Sequence, residues 1–274
     1  MVYPYIVWAA VMIVIPMLLI LLYAFTAKGN SVRAFVFTLD NFKKFFSDPV
    51  FLSVLERSLY IAVVTTVICV LLGYPIAYII ARSSNISSAR LLLLITIPTW
   101  INTLVRTYAW RGILDKTGII NYGLSFFGIG PVKFLETNFA VVLGMVYNFL
   151  PFMIIQIYNT LNKLDENYLY AAADLGATKF QAFLKVTLPL SVPGIVSGIT
   201  LVFLPAVSSF FIPKLLGGGQ YVLIGNVIES QFLTAGNWNF GSALSLIMAV
   251  VIIISMAVTR HIDKKINPEG EYED

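Results

Sequence analysis

The chain has 274 residues, 58% of them hydrophobic and 12% charged, where an ordinary soluble domain is about a quarter charged and about half apolar. With a mean hydropathy of +0.85, too few polar side chains remain to clothe a water-facing surface. That excludes a soluble enzyme, a disordered tail and a fibrous repeat. Eighteen Lys and Arg against fourteen Asp and Glu leave a net charge of +4. These basic residues are scattered, which argues against nucleic acid as a partner and suits the lipid of an anionic bilayer surface. One cysteine, Cys69, and one histidine, His261, make neither an internal disulfide nor a His/Cys cluster for zinc or haem, so no metal site is expected.

A bilayer core of about 30 Å needs about 20 apolar helical residues. Runs free of Asp, Glu, Lys and Arg extend over Met1 to Ala27, Ser58 to Ala81, Thr137 to Asn162, Val186 to Pro213 and Ser230 to Thr259. Leu91 to Trp110 joins them, interrupted only by Arg106. Six spanning helices are therefore predicted in an all-α integral membrane protein. The first run has no basic residue ahead of it and is too long for a signal core, so it reads as a retained anchor. Pro16, Pro75, Pro98, Pro151 and Pro205 lie inside these runs, where neighbouring helices can satisfy the carbonyls a proline frees.

Six crossings put both termini on one side, and Arg260, His261, Lys264 and Lys265 just past the last run favour a cytoplasmic C-terminus. The remaining charges do not cooperate: on that orientation the inside holds eight Lys and Arg and the outside ten, which leaves orientation open. Ser83 to Ala89 is a short polar loop, whereas Lys28 to Arg57 and Arg111 to Glu136 are longer. Thr117 to Val132 is apolar with four glycines, and Leu215 to Ile228 contains Gly217, Gly218 and Gly219 in succession. Both read as surface-lying or re-entrant pieces.

The segment from Lys163 to Val192 is patterned unlike a passive connector. Asp165 and Glu166 sit where negative charge favours a helix start, Tyr168 to Leu175 is helix-forming, and Gly176 is placed as a C-terminal stop. Thr178 and Gln181 have capping-box spacing, and Phe180, Phe183, Leu184, Thr187 and Leu188 follow on one helical face until Pro189, which is expected to end the helix. Two short helices about a glycine turn, with an apolar stripe too short to cross a membrane, need a groove to lie in. The alternative is an amphipathic hairpin lying on the bilayer.

Tyr170-Ala171-Ala172-Ala173-Asp174-Leu175-Gly176, followed after nine residues by Val186-Thr187-Leu188-Pro189, resembles the EAA loop of ABC importer permeases: E-A-A, three residues, G, nine residues, I-x-L-P. The resemblance implies a type I importer permease fold with cytoplasmic coupling helices. It also implies that Tyr170, Ala171, Ala172, Asp174, Gly176, Phe180, Leu188 and Pro189 engage an ATP-hydrolysing partner, which places both termini in the cytoplasm. Tyr170 stands where the family usually has Glu; its phenol can still form a hydrogen bond. A Cβ at the left-handed turn of Gly176 is expected to force the two short helices apart.

From about Thr38 onward the chain is similar to permeases of spermidine/putrescine importers. Three stretches carry this: Pro98 to Trp110 (PTWINTLVRTYAW), Pro213 to Gly218 (PKLLGG) and Leu223 to Phe232 (LIGNVIESQF). The similarity implies a bacterial inner membrane protein working with a second, related permease, two ATPase subunits and an extracytoplasmic polyamine-binding protein. It divides the chain into a first helix and external segment (1–56), a permease core (57–260) containing the coupling loop (163–192), and a cytoplasmic tail (261–274). No phosphate loop of the G-x-x-x-x-G-K-[ST] kind is present. This chain is therefore expected to bind no cofactor and to be no enzyme, with ATP and Mg on the partner.

A polyamine route should offer aromatic faces, carbonyls and carboxylates in place of hydration. Candidates are Trp100, Asn102, Tyr108 and Trp110 on the third span, Tyr147, Asn148 and Phe152 on the fourth, and Ser208, Ser209 and Phe210 on the fifth. Each has an equally physical alternative as interface belt or bundle core. No carboxylate lies inside a predicted span; Asp115, Glu136 and Glu229 are nearest, at the outer ends. Arg106 would repel a polycation, so its expected role is structural, by snorkelling to the interface or bonding a helix end.

Competing classes fare worse. An importer permease for another small solute remains open. An ion-coupled secondary transporter usually keeps acidic or histidine residues at mid-membrane, and the six runs hold none. An intramembrane enzyme would need a paired nucleophile and base, for which Cys69 and His261 offer no arrangement.

Overall fold

The computed structural model describes residues 3–27, 36–219 and 221–266, with side chains from 4 up to 261. The side chains of Lys264 and Lys265, and Lys28 with the rest of 28–35 in the external segment, lie outside the described residues. Among the described residues, five helices are long and apolar enough to cross a membrane: α1 (Pro4–Ala24), α3 (Pro49–Ala81), α7 (Asn138–Leu161), α9 (Lys179–Ser208) and α12, whose spanning part is Trp238–His261. The predicted third span, which makes a sixth when its two parts are counted as one, is not one helix. α4 (Asn85–Trp100) meets the continuation Thr103–Ser125, made of α5 (Thr103–Leu114) and α6 (Ile119–Ser125), at 91°. Pro98 opens the way to the break by tightening the last turn of α4 to 3₁₀ geometry, and Asn102 then starts α5 afresh, its side-chain oxygen accepting from Leu104 N at 2.8 Å.

Three further boundaries differ from the sequence expectation. The fifth span stops at Ser208, and Phe211–Leu216 forms a separate helix, α10. The run from Ser230 is divided into α11 (Ile224–Leu233) and α12 (Trp238–Ile266). Pro189 does not end the second coupling helix, which continues as α9. A π turn over Phe183–Thr187, in which Leu188 N–H reaches the Phe183 carbonyl five residues back, widens the helix just before the ring. The apolar Thr117 to Val132 stretch closes on Asn121, whose Nδ2 donates to the carbonyls of Asp115 (2.9 Å) and Val132 (3.0 Å) and whose oxygen accepts from Val132 N (2.8 Å).

α3, α7 and α9 form the centre. Gly194 and Gly198 let α9 approach α7, because a Cβ at either would collide with Thr160 or Met153. Burial is divided between two clusters. One holds Ile61, Met145, Ile212, Leu216, Leu223 and Phe240, and the other holds Ala77, Ile80, Met153, Ile157 and Val202. α1 buries almost nothing and leans on α12. Its end is held by amides: Asn239 Nδ2 donates to Thr26 O (2.8 Å) and Asn41 Nδ2 to the same carbonyl (3.0 Å), next to the small ladder of β1 (Thr26–Ala27) and β2 (Val36–Phe37). α2 (Asp40–Ser47) follows it.

Candidate functional site

The loop after α7 is built by local capping at each end. Asp165 Oδ1 accepts from Asn167 N at 2.9 Å and opens α8 (Asn167–Asp174). α8 closes with Gly176 N–H on Ala173 O (2.9 Å) and Ala177 N–H on Ala172 O (3.0 Å), the bond pair of a glycine-terminated helix. Gly176 has φ of +80°, and a Cβ there would meet nothing within 4 Å. Backbone handedness, rather than crowding of the two helices, is therefore what requires glycine. Thr178 accepts from Gln181 N (3.3 Å) while the Gln181 side chain accepts from Thr178 N (2.9 Å), a complete capping box.

The π turn splits the face expected from Phe180 to Leu188. Phe183 turns inward, edge-on to Tyr74 (5.9 Å) and Tyr78 (5.4 Å), with Thr187 buried and Leu188 half-buried in the same cluster. Phe180 and Leu184 point out. Leu175 is 89% exposed, Phe180 69% and Tyr170 62%, while Ala171, Asp174 and Pro189 are exposed and Ala172 is half-buried. A loop with that much apolar surface in the open is suited to being covered by another protein. Tyr170 Oη donates to Glu166 (3.3 Å), and Glu166 lies 4.0 Å from Arg82. The segment between α3 and α4 is thereby tied to the coupling loop.

The path candidates fall into separate groups. Arg106, Trp110 and Tyr147 come together at the bend: Trp110 meets Tyr147 edge-on at 5.3 Å, and the guanidinium lies 5.9 Å from the same ring. Arg106 is only 8% exposed, so it does not snorkel. It bonds the broken helix end, Nε to Ile101 O at 3.1 Å and Nη2 to Thr103 Oγ1 at 3.2 Å. Trp100, Asn102, Tyr108 and Phe152 are exposed, whereas Asn148 is buried, donating to Gly144 O (2.8 Å) with its own oxygen unpartnered.

Ser208, Ser209, Phe210 and Glu229 belong to a fold-back at the C-terminal end of α9. Asn226 Nδ2 donates to Phe210 O at 2.7 Å, and Gly225 sits under the carbonyls of Ser208 and Ser209, where a Cβ would not fit. Ser58 Oγ of α3 accepts from Ile224 N at 2.8 Å. Glu229 pairs with Lys214 at 2.7 Å beside a cavity of about 330 Å³. Sequence reasoning overlooked Lys214, because no periodicity relates two residues fifteen apart across a glycine turn. Of the other two acids nearest the spans, Asp115 accepts from Thr117 N and Oγ1. Glu136 bonds Lys133 at 2.6 Å, and that hydrogen bond with the lysine's charge holds its carboxyl below the usual range.

The family described as binding-protein-dependent transport system inner membrane component matches residues 70–268. The spermidine/putrescine transport system permease protein PotB of Haemophilus influenzae is 40% identical over 269 residues, covering 97% of this chain and 94% of that protein. The protein of the same description in Escherichia coli K12 is 37% identical, covering 96% and 98%. Among solved structures, a bacterial alginate ABC transporter in complex with alginate pentasaccharide-bound periplasmic protein superposes with a TM-score of 0.81 at 18% identity, over 97% of this chain and 93% of that one. The inward-facing MetNI methionine ABC transporter gives 0.58 at 17% identity, over 78% and 95%. The fold is thus that of type I ABC importer permeases.

Proposed function

This chain belongs to the binding-protein-dependent inner membrane transport components, and on that premise we propose that it is a permease subunit importing spermidine and putrescine across a bacterial inner membrane at the expense of ATP. Similarity of 40% along 97% of the chain to a polyamine permease is the observation that carries the cargo. The exposed, doubly capped loop carries the ATP coupling. In this reading two ATPase subunits, which hold ATP and Mg, cover Tyr170, Leu175 and Phe180 from the cytoplasm. That puts both termini inside. A second, related permease completes the pathway, and an extracytoplasmic binding protein delivers the polyamine.

The mechanism follows from continuity. Lys179–Ser208 is a single helix of 30 residues, about 45 Å long at 1.5 Å per residue, so displacement of its cytoplasmic tip moves its outer end as well. Phe183, wedged against Tyr74 and Tyr78, passes the same displacement to α3. Closure of the partner ATPases then rocks α3 and α9 between inward and outward openings. ATP-dependent uptake of labelled spermidine by vesicles carrying the assembled complex, competed by putrescine and by unrelated solutes, tests the proposal. Block by polyamines alone is expected; an assembled, ATP-hydrolysing complex that takes up no polyamine would reassign the cargo.

A further inference from the structure

The fold-back beyond α9 contains an ion pair that resembles a ligand already seated. Lys214 on α10 and Glu229 on α11 are brought together across the turn at Gly217–Gly219, with Nζ 2.7 Å from Oε1. The two side chains differ in setting: that of Glu229 is 17% exposed and that of Lys214 56%. The carboxylate is therefore built into the wall, while the ammonium reaches it from the water side. A cavity of about 330 Å³ opens beside them, with Tyr221, Asn226, Gln231 and Thr234 among its lining. Both polar atoms of the Asn226 side chain are engaged, with Leu223 N and Phe210 O. The guanidinium of Arg57 lies 5.9 Å from the centre of the Tyr221 ring. Recognition in this cavity thus falls chiefly on Glu229.

A lysine side chain is a butylammonium. What Glu229 binds here is chemically the end of an aliphatic diamine, and a pair whose lysine is more than half exposed is weak enough to exchange. We propose that the Lys214–Glu229 cavity receives a primary alkylammonium end of the substrate, and that Lys214 is a tethered competitor which the substrate displaces. The inference rests on the polyamine reading above and adds a receiving site with its internal rival. Occupancy would be felt at the end of the fifth span, since α11 is held there by Asn226 on Phe210 and by Gly225 under Ser208 and Ser209. The displaced lysine, with its exposed stem, returns to water at little cost.

The test is equilibrium binding of labelled spermidine to the complex with its partner subunits in lipid nanodiscs, without binding protein, for wild type, Lys214→Met, Glu229→Gln and the double variant. Loss of the competitor should tighten binding about two- to five-fold, the worth of an exposed pair. Loss of the carboxylate should weaken it by about tenfold or more, and the double variant should bind as poorly as Glu229→Gln. n-Butylammonium should compete, and tetramethylammonium, which lacks N–H donors, should not. Melting temperatures of the complexes identify a variant that merely fails to fold. Weakening by Lys214→Met to the extent seen with Glu229→Gln would make the pair a structural clip and overturn the inference. So would spermidine binding that neither substitution moves. A wild-type complex that neither binds nor imports spermidine would instead remove the polyamine reading itself, and the inference with it.

Discussion

Arg106 Nε donates to the carbonyl of Ile101 at 3.1 Å, across the inside of the 91° bend in the third crossing. A carbonyl released where a helix breaks in an apolar medium needs a donor, and here the donor is a buried guanidinium that also bonds Thr103. Arg106→Met should leave that carbonyl unpartnered and cost about 2 kcal/mol. The expected readout is a lower melting temperature of the solubilised complex, with only part of the loss restored by Arg106→Lys, whose single nitrogen lacks the planar fork. Unchanged melting in the methionine variant would remove the arginine from this role.

Gly176 tests coupling. Its φ of +80° costs other residues about 1–2 kcal/mol, while the space around it is open, so Gly176→Asp should fold. The altered turn is expected to cut uptake roughly tenfold, the rate equivalent of that cost, while ATP hydrolysis persists. Uptake equal to wild type at equal membrane abundance would contradict the lever mechanism.

Leu175 and Phe180 protrude from the coupling loop without intramolecular work to do. Leu175→Glu should leave the unfolding free energy of the subunit within about 0.5 kcal/mol of wild type. Co-purification of the ATPase should fall by about tenfold, as expected for an anchor worth more than 1 kcal/mol. Retention of the ATPase at wild-type levels would show that the partner sits elsewhere.

Ser58 is the buried bolt between α3 and α11, donating to Val54 O at 2.7 Å and accepting from Ile224 N at 2.8 Å. Ser58→Ala strands the Ile224 N–H and should destabilise by about 1–3 kcal/mol. Chemical denaturation of the complex measures this. Ser58→Thr should recover most of the loss where the extra methyl fits; an alanine variant of undiminished stability would mean that water replaces the hydroxyl.

Several features were legible in the chain because their causes lie within a few residues. Gly176 needs only its own φ, and Thr178 and Gln181 complete their box over one turn. The apolar runs followed from the bilayer's thickness alone. Pro189 was misjudged because the rule that proline ends a helix assumes an α turn before it, and the wide turn from Phe183 supplies a different one. The same extra residue shifts Thr187 and Leu188 relative to Leu184, so a face drawn at strict α spacing could not hold.

By itself the sequence determined that the protein lives in a membrane, where its long apolar helices run, and where the loop after α7 begins and turns, since these depend on transfer of apolar chain out of water and on local backbone geometry. Tertiary structure decided the bend sealed by Arg106 and Ile101, the continuity from Lys179 to Ser208, and the meeting of Lys214 with Glu229. Those relationships join residues whose neighbours are chosen by packing of other helices, such as α10 against α7 where Leu216 and Ile212 close over Gly144, and packing of that kind leaves no period in the chain to read.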